Sequence, residues 1–441
     1  SDEDVKKMYL KITSRDNKVT RLAVDKIELV TEKEKELYKI TATAQDLIQH
    51  VDPSKTRNEY IHYIEKPRPK VDNVYYNFKD LVDAMNADKN GTFKIGADLN
   101  ATNVPTPKKW YVDGDFRGTL KSVEGKHYTI HNTERPLFRN IIGGTVTKVN
   151  IGNVNINMPW ADRIAPIADT IKGGAKIEDV KVTGNVLGRN WVSGFIDKID
   201  NQGTLRNVAF IGNVTAVGDG GQYLTGIVGE NWKGLVEKAY VDANLVGDKA
   251  KAAGIAYSSQ NGGDNGAVSR DGAIKKSVAK GTINVAKPIE NGGVVGSMKH
   301  HGSVEDSVSM MKVSNGEIFY GSSDIDYDDG YWTGNNVKRN YVVVGVSDGN
   351  SSYQRSKDKN RIKPISEEEA KSKIEATGIS ADKYEINEPI VNRLNRLTRK
   401  EDEYKTTQDY KTERDLAYRN IEKLQPFYNK EWIVNQGNKL T

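Results

Sequence analysis

The 441-residue chain contains no cysteine, which excludes disulfide crosslinks and thiolate metal sites and leaves the redox compartment open. It also lacks any apolar run approaching the roughly 18 residues that a membrane-spanning helix needs, and its mean hydropathy is −0.65. Neither sign of charge dominates: 65 Lys and Arg face 60 Asp and Glu, a balance of +5 spread along the chain without a dense basic block. That pattern argues against nucleic acid and against membrane insertion. The chain has no initiator methionine and no signal peptide, so it reads as an excised internal piece. Its length predicts two to four domains unless a solenoid absorbs it.

What the sequence does contain is a repeat of roughly 31 residues, present seven times between Gly143 and Val346. Each copy places apolar residues at one position and then three, five and nine further on. The second copy reads Ile177, Val180, Val182, Val186 and the third Leu205, Val208, Phe210, Val214, each with a Gly-Asn pair (Gly184-Asn185, Gly212-Asn213) before its last member. Weaker copies align as Val236, Ala239, Val241, Leu245; Ile274, Ser277, Ala279, Ile283; Val304, Ser307, Ser309, Val313; and Val337, Asn340, Val342, Val346. The first, Val146, Val149, Ile151, fits with its closing Val154 one residue early. Alternation of this kind, rich in Val, Ile and Thr, is a strand pattern. A second short strand precedes each copy: Pro136–Phe138, Ala165–Ala168, Gly194–Ile196, Gly226–Gly229, Gly254–Ala256, Gly293–Gly296 and Gly316–Phe319.

Two or three short strands per repeat, joined by Gly and Asn turns, describe coils of a right-handed parallel β-helix. At about 4.8 Å per coil, seven or eight coils form a rod of roughly 35–40 Å. A propeller blade, the competing repeat unit, takes about 40–50 residues and four strands.

The flanks differ from the repeat. Residues 1–66 alternate as strands and read as a small β-sandwich, closed by Lys66-Pro67-Arg68-Pro69-Lys70. Residues 67–142 read as a linker, a capping helix and the first coil. Asn77 is the expected N-cap of that helix, with Asp80 three residues on, and the helix would cover the open strand edges at the end of the rod. The repeats occupy 143–360. From 361 to 441 the period becomes helical, starting at Ser366-Glu367-Glu368-Glu369-Ala370, and this region is expected to lead into a downstream domain.

Several constellations bear on chemistry. His127 and His131 have the spacing of a zinc-binding helix, but Tyr128 stands where a catalytic Glu belongs, and on a strand they lie roughly 13 Å apart. His300 and His301 point to opposite faces if extended. Asp197, Asp200 and Asp219 are the carboxylates along the rod from which a glycosidase-like pair could be drawn; a solvated turn role is expected for Asp197 and Asp200. Asp324, Asp326, Asp328 and Asp329 resemble a calcium loop, yet Asn335 takes the place of its closing Glu. No catalytic and no metal-ligating residue is assigned. The best recognition candidates are Trp160, Trp191 and Tyr223, in loops just before the second strand of successive coils, with Arg163, Arg189 and Asn190 beside them. They form either a binding ridge or an aromatic ladder packed on turns.

Four features carry a family resemblance: the segment Tyr38-Lys39-Ile40-Thr41-Ala42-Thr43-Ala44-Gln45-Asp46-Leu47-Ile48-Gln49; the coil entry Phe116-Arg117-Gly118-Thr119-Leu120; the Gly-flanked apolar strands; and Leu424-Gln425-Pro426-Phe427-Tyr428-Asn429-Lys430-Glu431-Trp432-Ile433-Val434. By these the chain resembles the N-terminal, non-catalytic part of the streptococcal immunoglobulin A protease and its sister cell-surface zinc metalloproteases. The resemblance implies a substrate-positioning arm of an extracellular enzyme, secreted or attached to the cell wall. It also implies a downstream catalytic domain as partner, holding zinc on a His-Glu-x-x-His helix absent here, and the host immunoglobulin A (subclass 1) heavy chain as substrate, cut at its hinge. No cofactor is expected in this segment itself. The rival readings are a β-helix adhesin or spacer, and a carbohydrate-active β-helix enzyme.

Overall fold

The computed structural model describes residues 1–13, 19–43, 59–102, 104–260, 272–299, 302–314, 316–323, 337–345 and 361–398, together with two short strands at 434–435 and 439–440. His300, His301, the Asp324–Asp329 cluster, Val346 and most of the Leu424–Val434 segment lie outside the described residues. The chain divides into two compact units, Ser1–Pro69 with Asn387–Thr441, and Lys70–Ile386.

In the first unit, Tyr9–Thr13, Val19–Glu32, Lys35–Thr43 and Glu59–Glu65 form one antiparallel meander, so the described residues supply one four-stranded sheet of the expected sandwich. Its long hairpin turns through Lys33 and Glu34, both at positive φ (47° and 66°), the backbone that matches strand twist in a two-residue turn. Leu10, Leu22, Val24, Ile40, Ala42 and Ile64 fill its core. The edge strand Glu59–Glu65 is covered by the helix Ile390–Thr398: Asn395 Oδ1 accepts the Tyr63 N–H at 2.7 Å and its Nδ2 donates to the Tyr63 carbonyl at 3.1 Å. The amide thus stands in for a fifth strand and satisfies an otherwise open edge.

The second unit is a parallel β-solenoid of about 7 turns. Its sequence copies are its physical rungs. Ile177 pairs with Leu205, Leu205 with Val236, Val236 with Ile274, Ile274 with Val304 and Val304 with Val337, and the described last members Val186, Val214, Leu245, Ile283 and Val313 form one column. The first copy needs correction: Val154 pairs with Gly184, and Ile156, not Val154, is the partner of Val186, because the register shifts between Ile151 and Val154. An eight-stranded parallel sheet, from Val112–Phe116 to Tyr320–Ser323, forms the other wall. Its strands begin at the last residues of the expected second strands or directly after them, for example Ile196–Asp200 and Val228–Trp232.

The residue before each copy's second member is left-handed in all seven copies: Lys148, Asp179, Asn207, Lys238, Lys276, Asp306 and Arg339 have φ between 48° and 57°. A conformation that costs L-residues about 1–2 kcal/mol therefore recurs at one corner of every coil. The glycines of the Gly-Asn pairs bend the long strands. Gly184 and Gly212 have φ of 133° and 155°, and a Cβ on either would run into the backbone of the coil beneath, at Val154 and Gly184 respectively.

At the first-coil end, the helix Phe78–Ala87 is N-capped by Asn77, whose Oδ1 accepts the Asp80 N–H at 2.9 Å, and it buries Phe78, Leu81 and Met85. At the other end the strand Ile362–Ile365 adds to the last rung and the helix Glu367–Thr377, capped by Ser366, packs on Val308, Val343 and Ile365. The chain then turns at Gly378 (φ 72°) and runs back along the left-handed corner. Residues 379–386 form a strap. Asn207 Oδ1 accepts the N–H groups of Ser380 and Ala381, both at 2.9 Å. Lys181 Nζ donates to the carbonyls of Asp382 and Tyr384, and the ring of Tyr384 lies 4.2 Å from that of His127.

Candidate functional site

The outward side chain five residues before the eight-stranded sheet is Arg163, Trp191, Tyr223 and Lys251 in four successive coils, counted from Ala168, Ile196, Val228 and Ala256. Strand register stacks them as one column, with Arg163 paired to Trp191, Trp191 to Tyr223 and Tyr223 to Lys251. The Arg163 guanidinium sits 4.2 Å from the Trp191 ring centre. Trp191 and Tyr223 stack at 3.6 Å and 8°. Lys251 Nζ lies 5.6 Å from Tyr223, and Tyr257 meets Tyr223 edge-on at 5.0 Å. Of the six candidates, Arg163, Trp191 and Tyr223 come together in this ladder. Asn190 lies at its base, donating to Asp162, while the carbonyl of Asp162 accepts the Trp191 N–H at 2.7 Å. Arg189 is exposed at the same turn. Trp160 is not a rung: it is 53% exposed, three residues ahead of Arg163, which holds the position assigned to it by analogy.

Facing the ladder across the corner is a column of acidic and small residues, Asp169, Asp197, Gly229, with Tyr257 beyond. Gly229 has no side chain where the Trp191 ring packs. Arg163 Nε donates to Asp197 Oδ2 at 2.6 Å and its Nη2 to Glu230 Oε2 at 2.7 Å. Burial works against the Arg163 charge, but the two carboxylates outweigh it and raise its pKa. Asp197 is buried in a strand rather than solvated at a turn, which corrects the expectation for that residue. Loss of hydration pushes its carboxyl up to about 7, with Arg163 opposing and Asp169 and Glu230 reinforcing the shift. Asp169 accepts the Trp110 indole N–H at 3.0 Å, and burial raises its pKa as well. Asp219 lies exposed in its loop.

Lys251, Tyr257, Asp169 and Glu230 are absent from the set chosen on sequence. The five-residue offset would have found Lys251, and Glu290 at the same offset from Val295 accepts the Tyr257 hydroxyl at 3.3 Å. His131 lies on the strand Tyr128–His131, and the His127 ring meets Asn150 Oδ1 at 2.8 Å, with burial lowering its pKa. Among the described residues no three His, Asp or Glu side chains converge to hold a metal ion.

Residues 1–184 match the model of the M26 IgA1-specific metallo-endopeptidase N-terminal region. Across nearly its whole length the chain is 39% identical to the zinc metalloprotease ZmpB of Streptococcus pneumoniae serotype 4, covering 99% of this chain and 23% of that protein. It is 32% identical to an immunoglobulin A1 protease of Streptococcus pneumoniae, covering 98% of this chain and 22% of that one. The chain thus spans about a quarter of the length of these relatives. A solved structure of an IgA1 protease shares the fold at a TM-score of 0.52 and 23% identity, over 81% of this chain and 30% of the other. The chain is therefore homologous to the N-terminal region of the streptococcal IgA1 protease and zinc metalloprotease family.

Proposed function

We propose that this chain is the non-catalytic substrate-binding and positioning arm of a secreted or cell-wall-attached streptococcal zinc metalloendopeptidase. The parent's catalytic domain lies downstream in this reading, and the immunoglobulin A (subclass 1) heavy chain is the substrate. The observation that supports it is the ladder of Arg163, Trp191, Tyr223 and Lys251, a strip of ring edges and cations fixed in register on a stiff solenoid, beside the exposed Trp160 and Arg189. Aromatic and Arg side chains dominate binding hot spots, and rigid presentation lowers the entropy lost on binding. A distant, rigid contact also orients a large folded substrate for a reaction elsewhere. The sequence has no His-Glu-x-x-His motif, consistent with an arm that cuts nothing alone.

Surface plasmon resonance of the chain over immobilised IgA1 tests this, with Trp160→Ala and Trp191→Ala as variants. Binding weakened at least tenfold in either variant is expected; equal affinity in both rejects the ladder as the contact. The 39% identity to ZmpB favours a second reading, in which the parent is a sister protease with another substrate. No measurable affinity for IgA1 selects that reading, or the adhesin and spacer alternatives.

A further inference from the structure

The asparagines of the two Gly-Asn pairs belong to a second outward row on the solenoid. Asn155, Asn185, Asn213 and Asn244 are register partners in consecutive coils, with Thr282 next. All four asparagines are exposed. Asn213 Nδ2 donates to Asn185 Oδ1 at 2.7 Å, Asn244 Nδ2 to Asn213 Oδ1 at 3.0 Å, and Thr282 Oγ1 to Asn244 Oδ1 at 2.7 Å. A link of this kind uses one of two N–H groups and one of two lone pairs, so each linked amide keeps hydrogen-bonding capacity for a ligand while its orientation is fixed. At the first-coil end Asn155 enters a cleft of about 540 Å³, lined also by Thr102, Thr106, Asn132, Glu134 and Asn153. The same wiring forms its wall: Asn153 Nδ2 donates to Asn132 Oδ1 at 2.7 Å, and Asn132 Nδ2 to Asn100 Oδ1 at 3.0 Å.

We propose that the cleft and the asparagine row together bind a linear, uncharged oligosaccharide laid along the solenoid axis, with one end in the cleft. A sugar hydroxyl both donates and accepts, which is what an oriented amide in the row can answer. The row carries no charge, so it offers no grip on a polyanion. An extended peptide fits poorly, since its rise of about 3.3 Å per residue drifts out of step with coils spaced at about 4.8 Å. The strands beneath also have their backbone groups committed to neighbouring coils, leaving no edge for strand addition. From Asn155 to Thr282 the row covers four coil steps, about 19 Å, enough for several sugar units. This proposal does not depend on the antibody reading.

Isothermal titration calorimetry of the intact chain with 1,4-linked cello- and chito-oligosaccharides of two, four and six units tests it. The expected result is a Kd that falls at least tenfold from two units to six in one of the two series. Asn213→Ala with Asn244→Ala should weaken the six-unit ligand about tenfold. Thr282→Val, which keeps the side-chain volume and so carries the test if the double variant unfolds, should weaken the six-unit ligand and spare the two-unit one. No binding at millimolar ligand in either series, affinity independent of length, equal affinity in Thr282→Val and wild type, or tighter binding of dextran sulfate would each overturn the proposal.

Discussion

Asn207 holds the strap to the solenoid, and its replacement should release residues 379–386 without dissolving the coils. The side chain is 7% exposed. Its oxygen accepts two backbone N–H groups, and its nitrogen lies 2.7 Å from Asp179 Oδ1, 2.8 Å from Ser380 Oγ and 3.1 Å from Tyr384 Oη. Asn207→Ala strands the N–H groups of Ser380 and of the fully buried Ala381, each worth about 1–3 kcal/mol when left unpaired in the interior. It also puts a residue without asparagine's tolerance at φ 52°, adding about 1 kcal/mol. Water entering beside Ser380 recovers part of this, so we expect a loss of about 3 kcal/mol, concentrated in the strap. Amide hydrogen exchange should show protection across 379–386 falling about a hundredfold. Asn207→Gly, which relaxes at positive φ, should be milder by about 1 kcal/mol. Asn207→Asp keeps the acceptor but faces Asp179, and should fall between wild type and Asn207→Ala. Protection within threefold of wild type in Asn207→Ala, or Asn207→Asp as damaging as Asn207→Ala, refutes the account.

Gly212→Ala forces a side chain against the backbone at Gly184 at a φ that L-residues avoid, and should cost about 3 kcal/mol in a denaturant melt; Gly221→Ala, with open space around it, serves as the neutral control. Equal melts for the two would show that the bend does not need glycine. Asp197 gives a pH dependence of definite sign. Its folded pKa, near 7, lies above the unfolded value of about 4, so the native state retains a proton that the unfolded chain has released. The contribution of Asp197 to stability is therefore fullest below pH 4 and declines as pH rises towards 7, by at most roughly 1.4 kcal/mol per unit. Urea titrations between pH 4.5 and 6.5 should show wild type losing stability relative to Asp197→Asn as pH rises, and a difference between the two that does not change with pH contradicts the assignment.

The solenoid was legible because its core columns are apolar in nearly every copy, and stacked identical columns are what a repeat in sequence becomes in space. The copies that read weakly do so for a physical reason. In the fifth, sixth and seventh, the second member is Ser277, Ser307 and Asn340, all fully buried, and each is hydrogen-bonded to the adjacent coil: Ala239 N–H to Ser277 Oγ, Ser277 N–H to Ser307 Oγ and Ser307 N–H to Asn340 Oδ1. A polar column of this kind satisfies itself along the rod, so hydrophobicity alone under-reads it. The strap was not legible, because Asn207 and Lys181 meet Ser380, Asp382 and Tyr384 across nearly two hundred residues with no periodicity to announce the pairing. Trp160 shares the loop position before the second strand with Trp191 and Tyr223, but it lies eight residues ahead of Ala168, whereas the stacking obeys a fixed five-residue distance, which selects Arg163.

That selection changes what the ladder can offer a partner. Both faces of Trp191 are occupied, one by Arg163 at 4.2 Å and the other by Tyr223 at 3.6 Å, so a ligand meets ring edges and not an open ring face. Trp160, 53% exposed, retains apolar surface to bury. The two tryptophans should therefore fail differently. Trp160→Ala removes contact area and should lower affinity at an unchanged melting temperature. Trp191→Ala removes a stacked ring and a cation–π pair, the latter worth about 0.5–2 kcal/mol, and should lower the melting temperature along with affinity. Arg163→Ala is unsuitable as a binding probe, since it removes the ion pairs that tie Asp197 and Glu230 beneath the ladder and so alters the support of the rings as well as the contact surface. If Trp191→Ala abolished binding while the melt stayed fixed, the ring would be a direct contact, and its stacking between Arg163 and Tyr223 would contribute nothing to the fold.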